Sequence, residues 1–263
     1  HLCDRRQRQM CIRDRLINVV LAGCLFYFLA LGMKELFLFL NAEKTYQVLK
    51  EETVQVAADN QENEEAVNPF HRDINFEALN KINEEIVGWI YIPETKVDYP
   101  VLIGDTEQEY LKQDFEGKEN VLGSIFAFPN VELNQDFHVC LYGHNMISGQ
   151  MFGGLKLYKE EKYAKTHRKA YLYTKESTKE LELISVFQCE NTDEIFELEE
   201  KTWEQSKAEE IVGDLQRRSF VETEFTQKKV TQIFTLVTCH GNAGGTQRLV
   251  LNFGVTKEKL ILQ

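Results

Sequence analysis

Three residues carry chemistry by type and context. Cys239 closes the run Thr235-Leu236-Val237-Thr238-Cys239, His144 sits inside Leu141-Tyr142-Gly143-His144-Asn145-Met146, and Arg248 follows the cysteine by nine residues. A thiolate is a strong nucleophile, and a nearby imidazolium or guanidinium favours it by lowering the thiol pKa. Histidine titrates near neutrality, so it can hand a proton to a leaving amine and take one from an incoming nucleophile. Arginine keeps its charge and presents a rigid fork of donors suited to a carbonyl oxygen that becomes an oxyanion. Together they can run acyl transfer.

Taken singly, each has a plainer reading: Cys239 as an inert buried thiol, His144 as a satisfied loop histidine, Arg248 as half of a surface ion pair. The other histidines are weaker candidates. His240 adjoins the cysteine, but successive strand residues point to opposite sides. His138 alternates with Phe137, Val139 and Leu141 along one strand pattern and, like His167, reads as structural.

Both runs end predicted strands, where a rigid scaffold delivers side chains into loops that a substrate can reach. Short strand patterns recur at 87–101, 123–128, 137–142, 170–174, 180–188, 232–238 and 248–253, with turn residues between them. That spacing suits an all-β barrel or sandwich. Two stretches break the pattern. Phe76, Leu79, Ile82 and Ile86 recur at helical spacing ahead of the strands, and Trp203, Ala208, Ile211 and Leu215 do so within 193–220, a helical insertion between two late strands.

Upstream, Leu16 to Met33 runs eighteen residues without a charge, and Leu36 to Leu40 extends the apolar length. This is enough to cross a bilayer. Arg5, Arg6, Arg8, Arg13 and Arg15 precede it, which places the N-terminus in the cytoplasm and the remainder outside. The chain opens on His1 rather than methionine, so only the charge bias is drawn from residues 1–15, read as a basic cytoplasmic segment. No small-residue cleavage site directly follows the apolar run, so 16–40 reads as a retained anchor rather than a removed signal peptide. Residues 41–72 are polar and form a partly helical stalk. The folded domain is expected over 73–263.

The 263-residue chain carries a net charge of −12, but residues 41–263 alone hold 24 basic against 39 acidic residues, or −15. Such a body should repel nucleic acid and anionic lipid. Of six cysteines, Cys140, Cys189 and Cys239 fall beyond the anchor, and no C-x-x-C spacing occurs. Zinc knuckles and dithiol redox chemistry are unsupported, while a Cys140–Cys189 bridge remains open.

The two motifs, with Met151, Phe152 and Leu155 after the first and an arginine after the second, resemble the histidine and cysteine signatures of sortases. The resemblance spans about residues 73–255. Gly88-Trp89-Ile90-Tyr91-Ile92-Pro93 is similar to the family's first strand, Gly123-Ser124-Ile125-Phe126 to a later one, and His167 with Tyr173-Thr174 to the segment after the histidine. The N-terminal helix and the insertion at 193–220 resemble class B in particular. The resemblance implies a mainly β, closed sortase-type barrel with an N-terminal helix and a late helical insertion, preceded by one transmembrane helix. It implies that His144, Cys239 and Arg248 are catalytic and that no cofactor or metal takes part. The implied reaction cleaves a C-terminal sorting motif of a secreted protein, typically after Thr, through an acyl-thioester. The chain is then transferred to a peptidoglycan-precursor or pilin-lysine amine at a Gram-positive surface. Two alternatives stand beside it: a cysteine endopeptidase with water as acceptor, and a catalytically silent anchored binding module. Papain-like enzymes place Cys before His, the reverse of the order here. Val237 departs from the serine that many class B members carry two residues before the cysteine, which bears on peptide recognition. The glycine-rich stretch from Cys239 to Arg248 is expected to be mobile without substrate.

Overall fold

The computed structural model describes residues 2–55, 68–106, 109–196, 205–226, 230–239 and 245–261, with the backbone alone at 2–14, 205–206 and 239. Two compact units divide the chain, His1–Thr45 and Tyr46–Gln263.

The first unit is helical. Helix α1 runs Leu2–Thr53, and its Arg15–Thr53 portion is long and apolar enough to cross a membrane. Leu21, Leu25, Phe26, Phe28 and Met33 all present their side chains outward.

The second unit is a closed barrel of eight strands: β3 (Ile86–Tyr91), β4 (Asp98–Ile103), β5 (Ile125–Ala127), β6 (His138–Gly143), β7 (Lys169–Thr174), β8 (Ser177–Glu190), β9 (Ile233–Cys239) and β10 (Gln247–Leu260). Around the barrel the order is β10-β8-β7-β3-β4-β5-β6-β9, closed by β9 against β10. Two pairs are parallel, β4 with β5 and β6 with β9; the others are antiparallel. Trp89, Ile90, Leu141, Phe234, Leu236 and Phe253 are fully buried. A separate apolar layer joins Phe187, Val237 and Val250 to Ala208, Val212 and Leu215 of the inserted helix α4, Gln205–Arg218. Of the predicted insertion, Trp203 lies outside the described residues.

The second unit begins at Tyr46, ahead of the boundary expected at Asp73. Tyr46, Leu49 and Thr53, on the last turns of α1, are buried, so burial of their side chains and not chain polarity sets the boundary. Just after the helix a two-residue pairing joins β1 (Val54–Gln55) to β2 (Asp73–Ile74). Most of the expected stalk, 56–67, lies outside the described residues. Asp98 ties these pieces to the barrel. Its carboxylate accepts from Trp89 Nε1 at 2.7 Å, pairs with Arg72 Nη1 at 2.8 Å and meets the Lys50 ammonium.

Two element boundaries differ from the periodicity. Helix α2 covers Phe76–Ile82, capped where the Asn75 side chain accepts from the Ala78 N–H at 2.9 Å. Ile86, at helical spacing in the sequence, instead opens β3. Asn83 is extended, its side chain accepts from the Glu85 N–H and donates to the Phe115 carbonyl, and the helix stops there. Strand β10 continues seven residues past Phe253, into Lys257, Glu258 and Lys259. No apolar alternation marks that end. It is held by cross-strand pairs of opposite charge, Lys179 with Glu258 at 2.5 Å and Lys257 with Glu180 at 3.5 Å.

Candidate active site

The ladder brings the three singled-out residues to one end of three neighbouring strands. Cys239, the last residue of β9, is the register partner of Arg248 on β10. Thr238 is the register partner of Gly143, the last residue of β6, and His144 follows directly. Partners across such a ladder sit about 5 Å apart at Cα. Cys239 shares its strand parity with Thr235 and Val237, and Arg248 with Val250 and Asn252. Strand pairing thus assembles a cysteine, a histidine and an arginine from segments far apart in the chain. His240 to Gly244, the middle of the stretch expected to be mobile, lie outside the described residues.

His144 is half-buried in a cradle of backbone. Its Nε2 lies 2.5 Å from the Leu111 carbonyl. A carbonyl only accepts, so Nε2 carries the proton and Nδ1 is the atom that gains or loses one. The loop after His144 folds back on itself. The Phe152 N–H donates to the His144 carbonyl at 3.0 Å, and Asn145 bridges to Met151, which holds a left-handed φ of 48°. Beneath the ring lies Gly123, at φ +60°. A Cβ there would stand 2.7 Å from the Leu111 oxygen and 3.0 Å from His144 Cδ2, so the cradle closes only around a glycine.

Arg248 is also half-buried. Its Nη1 donates to the carbonyls of Gly245 at 2.7 Å and Gln247 at 3.0 Å, which uses both protons on that nitrogen. Beside β9, Tyr142 stacks on Phe128 with ring centroids 4.4 Å apart and on Phe126 at 5.7 Å, an aromatic wall in register with Val237. Val237 itself is buried in the layer beneath α4.

The remaining candidates serve packing. Cys140 and Cys189 are not joined to each other, so the bridge left open by the sequence does not form. Cys189 is the other register partner of Arg248, but burial pushes its thiol pKa up to about 12, far from thiolate chemistry at neutral pH. His138 is buried, with Nε2 2.7 Å from Thr235 Oγ1. That hydroxyl donates to Asn252 Oδ1 at 2.6 Å, and the Asn252 amide donates to Ser185 Oγ at 3.0 Å. Burial alone lowers the His138 pKa to about 4, so it sits neutral in a satisfied network crossing four strands. His167 stacks on Tyr163 at 3.9 Å and ends helix α3, Glu161–Thr166. Among the described residues, no group of three or more His, Cys, Asp or Glu could hold a metal ion.

What the sequence did not disclose is the cradle. Leu111 contributes a backbone oxygen, which no side-chain pattern announces. Gly123 could have been found only by asking why a glycine interrupts an otherwise strand-like run.

Comparison with known proteins follows the same outline. The sortase domain profile matches residues 90–253. Sortase B of Staphylococcus aureus is 29% identical over 177 residues, covering 67% of this chain and 72% of that protein. A crystal structure of sortase B from B. anthracis superposes with a TM-score of 0.66 at 28% identity, covering 84% of this chain and 99% of that one. The S. aureus sortase B–substrate complex gives 0.64 at 26% identity, covering 86% and 98%.

Proposed function

Because the chain belongs to the sortase family and aligns with its class B members, we propose that it is a membrane-anchored cysteine transpeptidase in which Cys239, His144 and Arg248 are the catalytic residues. The observation that supports this most is the ladder register, with Cys239 opposite Arg248 and Thr238 opposite Gly143, one residue before His144.

In this reading the Cys239 thiolate attacks the carbonyl carbon of the scissile peptide bond in a sorting motif of a secreted protein. Negative charge moves onto the carbonyl oxygen, where Arg248 supplies donors. With both Nη1 protons on loop carbonyls, Nε and Nη2 are the nitrogens that face this task. The tetrahedral species collapses, the C–N bond breaks, and His144 protonates the leaving amine through Nδ1. An acyl-thioester remains. A second amine, from a peptidoglycan precursor or a pilin lysine, attacks it, loses its proton to His144 and leaves with the acyl group as Cys239 returns to the thiolate. Partner amines of this kind fit a Gram-positive cell surface. Residues 16–40 serve as the anchor, 1–15 as its cytoplasmic flank, 41–72 as the polar connection and 73–263 as the external domain, with the buried turns from Tyr46 joined to that domain. The apolar length of α1 supports such an anchor.

The test uses a peptide library with threonine before the scissile bond, with and without an added amine. Mass spectrometry should find the acyl adduct on Cys239, and Cys239→Ala should abolish it, while Cys140→Ala and Cys189→Ala retain turnover. Product joined to the added amine marks a transferase. Hydrolysis alone in the presence of amine, or an adduct on Cys140 or Cys189, would refute the reading.

A further inference from the structure

The His144 cradle rests on a residue from the helix that precedes the barrel. Tyr46, on the last turns of α1, is buried, and its Oη donates to the Gly123 carbonyl at 2.6 Å and touches Ser124 Oγ at 3.0 Å. Two edge-on rings hold the phenol in place, Tyr99 with centroids 5.5 Å away and Phe115 at 5.1 Å. The Gly123–Ser124 peptide is pinned on its other side as well, since the Ser124 N–H donates to the Tyr110 carbonyl at 2.9 Å and the Ser124 hydroxyl to the Gln113 carbonyl at 2.8 Å. Gly123 in turn lies against both the Leu111 oxygen and the His144 ring, and the Leu111 oxygen is what His144 Nε2 donates to.

We propose that Tyr46 is a positioning residue for His144, fixing through Gly123 the carbonyl cradle that sets the tautomer and tilt of the imidazole. The proposal rests on His144 being the proton-transfer residue. The physical chain has two links. Without the phenol O–H the buried Gly123 carbonyl loses its donor, and a buried acceptor left unpaired shifts until it finds one. The floor under the ring is a glycine in close contact, so a shift there is passed to the Leu111 oxygen and to His144 without slack. Burial raises the Tyr46 pKa, so its O–H remains a donor throughout the working range. Displacing a proton-transfer group by a fraction of an ångström lowers the chemical step by roughly tenfold or more, given that about 1 Å can cost on the order of a hundredfold.

The experiment uses the full chain in detergent with 13Cε1-labelled histidine. Tyr46→Phe keeps the ring and deletes only the O–H. It should lower kcat about tenfold with KM nearly unchanged, move the His144 NMR titration, and shift the pH–rate profile by the same amount. Lys50→Gln is the comparison, because Lys50 lies on the same helix but pairs with Asp98. It should lower the melting temperature without altering the His144 resonance or the pH profile. If both variants change activity only in proportion to stability, or if the His144 titration is the same in Tyr46→Phe and wild type, the inference fails. Ser124→Ala, which frees the same peptide from the other side, replaces Tyr46→Phe should the latter not fold. His144→Ala separates the two levels: retained turnover there refutes the role of His144 itself, whereas lost turnover with an unaltered Tyr46→Phe refutes only the positioning.

Discussion

Acid should destabilise this protein by way of His138. The imidazole is fully enclosed, with a pKa of about 4 in place of its ordinary 6.5. The folded pKa lies below the unfolded one, so between these values the unfolded chain binds a proton that the fold refuses. Stability from this group is therefore complete above about pH 6.5 and falls as the pH drops toward 4. At 1.36 kcal/mol per pKa unit the loss approaches roughly 3 kcal/mol by pH 4, a large part of a stability typically about 5–15 kcal/mol. The assay is urea unfolding between pH 7.5 and 4.5, followed by fluorescence of the buried Trp89, in wild type and His138→Gln. Glutamine can still donate toward Thr235 Oγ1 but does not titrate. Its absolute stability at pH 7.5 should be lower from imperfect packing, so the slope against pH is the quantity to read. The wild-type curve should fall more steeply, by up to about 1.4 kcal/mol per pH unit. Parallel curves would refute the assignment of a neutral, buried His138.

Arg248→Lys keeps the charge but loses the planar fork, and turnover should drop on the order of 100- to 1000-fold with an unchanged melting temperature; near-normal turnover would remove Arg248 from the site. Gly123→Ala forces a side chain into a left-handed position, costing about 1–2 kcal/mol, and drives a Cβ toward the Leu111 oxygen, so stability and turnover should both fall. Gly117→Ala, at φ +77° with no atom closer than 4.0 Å, should share the first loss and spare turnover; equal turnover in the two variants would discount the cradle. Removing residues 1–40 should leave a soluble, active protein, whereas removing 1–53 also takes away the buried Tyr46, Leu49 and Thr53 and should lower the melting temperature; identical melting curves would contradict that burial.

How much of this could be read from residues alone depends on which interaction holds each piece. Strands β6 and β9 were legible because apolar side chains alternate up to their ends, and that alternation carried His144 and Cys239 with it. Ile86 misled because helical spacing cannot register an asparagine that turns its side chain onto the backbone and ends the helix. The far end of β10 was invisible because lysine and glutamate pair across strands without any apolar signature. Tyr46 lay inside a segment whose average polarity described a spacer, while burial is decided one side chain at a time. The cradle of His144 is largely backbone oxygen, and its position is a property of the folded chain only.

The parallel pairing of β6 with β9 also governs when the site comes into being. Parallel neighbours cannot be joined by a tight turn, and here the ladder joins partners as distant in the chain as His138 and Ile233, with β7, β8 and α4 intervening. Contacts of such long range form slowly, since the intervening chain must first be closed into a loop. Until that closure a nascent chain holds its thiol and its imidazole on separate, unacquainted hairpins and edges, so a half-folded molecule is chemically inert toward peptides. Competence should then appear in a single late kinetic phase. Refolding sampled at intervals with a thiol-reactive peptide would display it as labelling of Cys239 that lags behind the recovery of strand signal; labelling that keeps pace with early strand formation would contradict it.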